Sequence, residues 1–485
     1  PDGALNIADM YRGIVQHGAY MTPYLREQIL ARKLDRPVRK GRIWRISATD
    51  VSPQKSTALA GLSPAECVPF LAHADGWYRD MAQRILVEAK ASETIPLIEQ
   101  LATTADTWQG RLQALWTLEG MGALETKVAE TAWLSDGSDV VKAQALRLLE
   151  PLMKKDKTLQ AHIGKEMIQV AEETSPTLAL QLALSAVALA EEERLQVLGR
   201  IMNNYGEEAL IRDAVLSSAS GLEQSLLQDL LQGPNWRLTE GVKEICIELL
   251  ATASFKAGQV ADVEAMLAYV SRGLAAQQRY ADVMLSALAV QAALSQDQPI
   301  QLNREPDLMQ RQDDLTTSAQ RRVTNLAKGL TWPGKPDEKV ASVEEHELGP
   351  EDLKQFASGR QQYLSICAGC HGTDGQGIKR FGPPLVQSEW VLGDPRKLSL
   401  ILLHGMEGPL EVNGKLYDAP DILPVMPSHS VVDDAHIAAI LTYIRNEWGH
   451  QAGPVKRGLV GKTRVQSQGK VVPWKAEELQ QLSME

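Results

Sequence analysis

The residues best suited to chemistry are Cys367-Ala368-Gly369-Cys370-His371. Two thiols one helical turn apart can each add to a vinyl group of the same porphyrin, and a histidine beside the second then lies under the iron as an axial ligand. The spacing therefore predicts covalent attachment of a haem c. Two other chemistries use a C-x-x-C pair. A zinc site would want a second pair of ligands at similar spacing, and the remaining cysteines, Cys67 and Cys246, are isolated and far away in the chain. A redox dithiol would want a βαβ context, which this helical sequence does not offer. Cys67 and Cys246 are read as buried free thiols, with a pairing between them left open.

The iron then needs a sixth ligand or an open position. Met406, Met426, His404, His429 and His436 are the candidates. Met426-Pro427 stands out, because proline stiffens the loop and a thioether suits soft ferrous iron. Met406, between His404-Gly405 and Gly408-Pro409, reads as a turn lining the haem edge. His436 falls inside the last helix of this region, on its solvated side. A histidine ligand or an open site are the alternatives.

Residues 349–449 must position these groups. Gly349-Pro350-Glu351-Asp352 opens a helix, with proline in the first turn and acids at the positive end of the dipole. Phe356, Gly359 and Tyr363 share one face of it, and it delivers Cys367 and Cys370 at its end. A second helix begins at Asp433-Asp434 and runs to Trp448, before Gly449. Its apolar face holds Ile437, Ile440, Leu441, Ile444 and Trp448, with Tyr443 beside it.

From end to end this unit resembles a class I cytochrome c. The resemblance implies terminal helices that cross with Gly359 opposite Tyr443. It implies that a carbonyl in Gly382-Pro383-Pro384-Leu385 accepts the Nδ1 proton of His371, fixing the ring. It also implies Met426 as the second axial ligand, since the family places its methionine in the loop before the last helix. Trp390 and Arg396 are candidate partners for the haem propionates, the alternative for both being ordinary packing or surface charge. With both axial positions closed no substrate reaches the iron, and the unit shuttles electrons. A five-coordinate haem serving as a sensor or peroxidase is the rival reading.

The preceding stretch, 57–300, is dominated by helix formers. Trp77-Tyr-Arg79-Asp-Met-Ala82 recurs in outline as Gln109-Gly-Arg111-Leu-Gln-Ala114, and again as Val141-Lys142-Ala-Gln-Ala145. Each time a basic residue precedes a small one by three places, and bulky aliphatics come after. The small residue lets helices approach closely and the aliphatic stripe faces the next repeat. This texture resembles an α-solenoid of HEAT or armadillo type; a helical domain without repeat symmetry is the alternative. Such an array also serves as a docking scaffold that carries the cytochrome to a partner. Residues 301–348 read as a linker holding one amphipathic helix within Arg311–Leu330, with Trp332 as an anchor. Residues 450–485 read as a basic tail whose Trp474 docks on the folded part of the chain.

Residues 1–56 read as β structure. Ala4–Asp9 and Gly41–Ile46 alternate apolar and polar residues, and a partly helical insertion, 23–36, separates them. Two strands make no stable sheet alone, so they are expected to pair outside this chain or to pack on the helical stretch downstream of them. The segments Pro1–Gly13 and Gly41–Ile46 resemble the closing blade of the β-propeller in bacterial quinoprotein dehydrogenases of the sorbosone/glucose dehydrogenase type. The resemblance implies a propeller upstream that binds pyrroloquinoline quinone (PQQ), with Arg12 and His17 either facing its pocket or serving as surface residues.

The expected class is thus mainly α: a propeller-blade remnant, a helical solenoid and a C-terminal all-α cytochrome. The 485 residues carry a net charge of −11 with acids and bases interspersed, which argues against nucleic acid and anionic membranes as partners. No apolar run is long enough to span a bilayer. Haem attachment outside the cytoplasm places the expected product in the periplasm or another extracytoplasmic space, processed from a longer precursor. The expected partners are an upstream dehydrogenase domain or redox protein and a downstream electron acceptor, with no catalysis by this chain alone.

Overall fold

A computed structural model describes residues 4–11, 23–36, 41–47, 49, 57–233, 236–276, 278–311, 315–335, 348–470 and 472–482. Arg12 and His17 lie outside the described residues. The chain divides into two compact units, Pro1–Leu152 and Met153–Glu485.

In the first unit, β1 (Leu5–Asp9) and β2 (Arg42–Ile46) pair antiparallel, with Leu5 opposite Ile46 and Asp9 opposite Arg42. The two strands flank α1 (Pro23–Ala31) in sequence and pair with each other. Asp9 staples the ribbon: its carboxylate accepts from Arg42 Nε at 2.7 Å and Trp44 Nε1 at 3.0 Å. These bonds hold the Asp9 carboxyl down at about 2. Ile43 and Trp44 remain 74% and 49% exposed, so the ribbon keeps an uncovered apolar surface.

Helices come next: α2 (Pro64–Cys67), α3 (Gly76–Ala89), α4 (Ile95–Thr104), α5 (Trp108–Gly120), α6 (Thr126–Ser135) and α7 (Asp139–Met153). Asp75 and Thr107 cap α3 and α5 by accepting from the Trp77 and Gly110 amides. α5 packs on α3 and α4, and α6 packs on α4. The small residues Ala82, Ala114 and Ala145 are fully buried. The recurring basic residue has a structural task. Arg79 Nη1 donates to the His73 and Ala74 carbonyls, and Arg111 Nη1 does the same to Ala105 and Asp106. Each ties its own helix to the turn before it.

Arg111 also makes a bidentate pair with Asp136, at 2.5 and 2.9 Å. Burial pushes the Asp136 carboxyl up, but the bonds from Arg111 and the Ser138 amide outweigh it, leaving the group below its ordinary value. A depressed folded pKa stabilises above the unfolded value of about 4 and is lost as pH falls through the folded one. Asp136→Asn should therefore cost about 2 kcal/mol near pH 7. In urea unfolding the gap between the two proteins should narrow as pH falls below about 4.

The second unit continues with α8 (Lys157–Val170), α9 (Pro176–Ser185), α10 (Glu191–Tyr205), α11 (Ala209–Ser218), α12 (Glu223–Gln232), α13 (Glu240–Ala257), α14 (Val260–Ala275) and α15 (Arg279–Leu294). Most pack on a sequence neighbour and several on the next but one, as α8 does on α10, α9 on α11 and α13 on α15. Arg212 repeats the device of Arg79, donating to the Gly206 and Glu207 carbonyls. Cys67 and Cys246 are free and buried.

The stretch read as a linker carries folded elements. β3 (Ile300–Gln301) pairs in parallel with β4 (Leu330–Thr331), and α16 (Asp307–Gln310) and α17 (Thr317–Lys328) lie between them. α17 packs on α15, and a Cβ at Gly329 would meet the Ala292 backbone at 2.5 Å. Trp332 is buried, with Lys335 over its ring.

The C-terminal region comprises α18 (Pro350–Ile366), α19 (Ala368–His371), α20 (Glu389–Leu392), α21 (Pro395–His404), α22 (Asp434–Ile444), α23 (Arg457–Gln466) and α24 (Ala476–Gln481). Its short strands are β5 (Met406–Glu407), β6 (Leu410–Val412), β7 (Lys415–Tyr417), β8 (Val425–Met426) and β9 (Trp474–Lys475). α18 crosses α22 at Gly359, where an added Cβ would stand 2.0 Å from the Ala439 carbonyl oxygen and 2.9 Å from Tyr443 Cβ. α22 ends at Ile444, short of Trp448, which takes a left-handed φ of 52°. The tail is built into this region. α23 packs on α21 and α22, and β9 joins β5 to complete a sheet of order β8-β5-β9.

Candidate haem site

α18 hands the chain directly to α19, where the His371 amide donates to the Cys367 carbonyl at 3.0 Å. This single helical turn presents Cys367, Cys370 and His371 together. Tyr363, one turn earlier on α18, donates from its hydroxyl to the Gly372 carbonyl at 2.5 Å and pins the turn's exit. His371 is buried, and its Nδ1 lies 2.9 Å from the Pro383 carbonyl. With Nδ1–H donating there, Nε2 is the nitrogen left for a metal. Burial pulls the His371 pKa down, the Pro383 bond offsetting part of the effect, so the ring is neutral and able to ligate at neutral pH. Gly382 makes the approach possible: a Cβ there would sit 3.1 Å from the His371 ring and 3.0 Å from the Cys370 carbonyl.

Two clefts that share part of their lining open beside this turn. Cys367, His371, Pro383, Met406, Leu410 and Met426 line both. β5 and β8 bring the two methionines side by side, directly opposite in an antiparallel pair. Met406 thus sits on a strand rather than in a turn. It is buried against Leu400, Ile401 and Leu479, whereas Met426 is half-buried and touches both core clusters of the region. Burial pushes the Cys367 thiol up to about 12. A thiol so protonated is a poor redox nucleophile. Two thiols, a fixed neutral imidazole and thioethers in an apolar cleft fit a covalently attached haem.

The other sequence candidates fall differently. Trp390 lines one cleft, but its indole N–H donates to the Glu411 carbonyl at 3.0 Å, so that donor is taken. Arg396 lies outside both clefts. Its guanidinium turns back onto Asp394, the cap of its own helix, at 2.9 Å, and borders a separate hollow with Lys462 and Lys470. His404 engages Ser467 and the Lys470 carbonyl through its two ring nitrogens. His436 is exposed and bonded to Asp433. His429 lines one cleft, half-buried. Sequence reasoning missed the role of the Tyr363 hydroxyl and the pairing of Met406 with Met426. Only the closed fold joins the first to Gly372 and the second across β5 and β8.

A turn that presents two thiols and a histidine to an apolar cleft defines a protein that carries haem covalently. The cytochrome c family profile matches residues 356–448. Cytochrome c-552 of Thermus thermophilus is 39% identical over 106 residues, 21% of this chain and 67% of that protein. The cytochrome c subunit of the alcohol dehydrogenase (quinone) of Gluconobacter oxydans is 30% identical over 112 residues, 23% of this chain and 22% of that subunit. The cbb3-type cytochrome c oxidase subunit CcoP of Rhodobacter capsulatus is 28% identical over 137 residues, 26% of this chain and 41% of that subunit. Residues 1–50 match a second profile, described as a domain of unknown function (DUF7133). Through its C-terminal domain the chain belongs to the cytochrome c family, and that domain transfers electrons by haem c. Such a carrier requires a redox partner. Among the described residues no helix is long and apolar enough to cross a membrane.

Proposed function

We propose that this chain is the electron-accepting part of a periplasmic quinoprotein dehydrogenase, and that His371 and Met426 are its axial haem ligands. The observation that carries the ligand assignment is the apolar cleft shared by the fixed His371 imidazole and the half-buried Met426. A bound haem c supplies one-electron redox chemistry. Cys367 and Cys370 would hold it through thioether bonds, the Pro383 carbonyl fixes the His371 ring, and Leu410 with the other apolar walls would keep water away from it. With both axial positions filled, the domain relays electrons one at a time from a two-electron oxidation carried out elsewhere.

An upstream propeller bearing PQQ is the proposed donor. Two observations support it: the likeness to the cytochrome c subunit of a quinone-dependent alcohol dehydrogenase, and the uncovered β1–β2 ribbon. The helices of 57–300 form a HEAT-like solenoid in this reading, supported by the repeated task of Arg79, Arg111 and Arg212. The test is the spectrum of the whole chain produced in a host that attaches haem. Low-spin features in both oxidation states, with slow carbon monoxide binding, are expected. A high-spin reduced state that takes carbon monoxide rapidly overturns the closed-site reading in favour of a sensor or peroxidase.

A further inference from the structure

Within the second unit the cytochrome domain rests on the helical array through buried charge. Arg360 of α18 is 7% exposed and donates to Glu248 at 2.5 Å and Glu244 at 2.8 Å, both buried on α13. Arg322 of α17 joins Asp282 of α15 to Glu447, just past α22. Arg279, at the start of α15, bonds both Glu244 and the Thr373 hydroxyl. Thr373 lies two residues beyond His371. A Cβ on Gly241 of α13 would touch the Leu364 carbonyl at 3.7 Å and Thr373 at 4.0 Å, so array backbone also reaches the haem-binding turn.

Desolvating several charges is costly unless the geometry of the pairs is good and lasting. A cytochrome swinging on a tether would leave these groups in water. The network is also close to the cleft. Tyr443 borders it and packs on Tyr363, which lines the cleft, with ring centroids 5.3 Å apart. One aromatic layer separates array charges from the haem cleft, in surroundings where charge acts strongly.

We propose that the helical array is a fixed part of the haem environment, with Glu244 and Arg279 as positioning residues that hold the haem-binding turn and set its reduction potential. The proposal rests on the haem reading above. Oxidised iron carries one more positive charge than reduced iron. A nearby cation therefore raises the potential and a nearby anion lowers it.

The experiment is a redox titration of the full-length holoprotein. Arg279→Gln should lower the midpoint potential and Glu244→Gln should raise it, with unchanged low-spin spectra in both. The double variant should return close to the parent value. Arg84→Gln, on an exposed pair in the first unit, is the control and should not move the potential. Equal potentials in all variants overturn the proposal, as does a shift of the same sign in both single variants. If Glu244→Gln does not fold, Arg279→Gln and its control still decide, because the Arg279 side chain is 45% exposed. Failure of the axial-ligand reading has a different signature, a high-spin spectrum in the parent protein.

Discussion

Met426→Ala should convert the low-spin haem to a largely high-spin one that binds carbon monoxide quickly when reduced, while Met406→Ala should leave the spectrum low-spin. The two thioethers are close competitors, since they stand opposite each other on β5 and β8 and line the same clefts. Their surroundings separate them. Met406 is 6% exposed and held among Leu400, Ile401 and Leu479, with Trp390 and Trp474 packed behind. Removing it leaves a cavity and should cost about 2–5 kcal/mol of stability. Met426 is only half-buried, and its backbone is fixed instead. Gly405 comes so close that a Cβ would lie 2.4 Å from the Met426 carbonyl, and Pro427 comes directly after. A half-buried side chain with a fixed root, set between the two core clusters, is the one free to serve iron. Its loss should also lower the midpoint potential, because thioether ligation raises it. The reverse pattern, with Met406→Ala going high-spin and Met426→Ala unchanged, reassigns the ligand. No change in either variant removes methionine from the site.

The sequence made the haem-binding turn legible because covalent attachment demands fixed spacing: Cys367, Cys370 and His371 can be read without any fold. The α18–α22 crossing at Gly359 was expected from the resemblance to class I cytochromes c, and the spacing of Phe356, Gly359 and Tyr363 by itself placed them only on one helix face. Charge partners were harder to see. Arg396 looked like a propionate partner by type and position, yet a carboxylate two residues away captures it. Glu244 and Glu248 sit one turn apart within the apolar run Ile245, Ile247 and Leu250 of α13, and Arg360 sits among the core positions of α18. Charges in apolar runs signal burial, but which one meets which depends on how α13 and α18 dock. Within the stretch read as a linker, the amphipathic helix expected inside Arg311–Leu330 is present as Thr317–Lys328. Its amphipathic pattern was legible, but that its apolar face would pack on α15 depends on the closed fold.

Gly359→Ala should destabilise the cytochrome domain by several kcal/mol and disturb the haem spectrum, although alanine is the better helix former. Intrinsic propensity favours alanine by about 1 kcal/mol. Against that, the new Cβ would lie 2.0 Å from the Ala439 carbonyl oxygen, which is helix backbone and has no rotamer to escape into. The helices must separate by roughly an ångström, and overpacking of this kind costs about 1–3 kcal/mol or more. The displacement then propagates along α18. Arg360 is the next residue, and loosening its pairs with Glu244 and Glu248 exposes buried charge to mismatch, a penalty of about 3–5 kcal/mol when such a pair is fully broken. Cys367 lies two turns further on, so the haem-binding turn moves with the helix. Gly458 of α23 supplies the contrast, with no atom within 4 Å of its Cβ position and an exposed site. There Ala should be neutral or stabilising by up to about 1 kcal/mol. Thermal unfolding of both variants, followed at the haem absorbance and in the far ultraviolet, separates the outcomes. Equal midpoints would mean that α18 and α22 cross more loosely than their glycine contact requires.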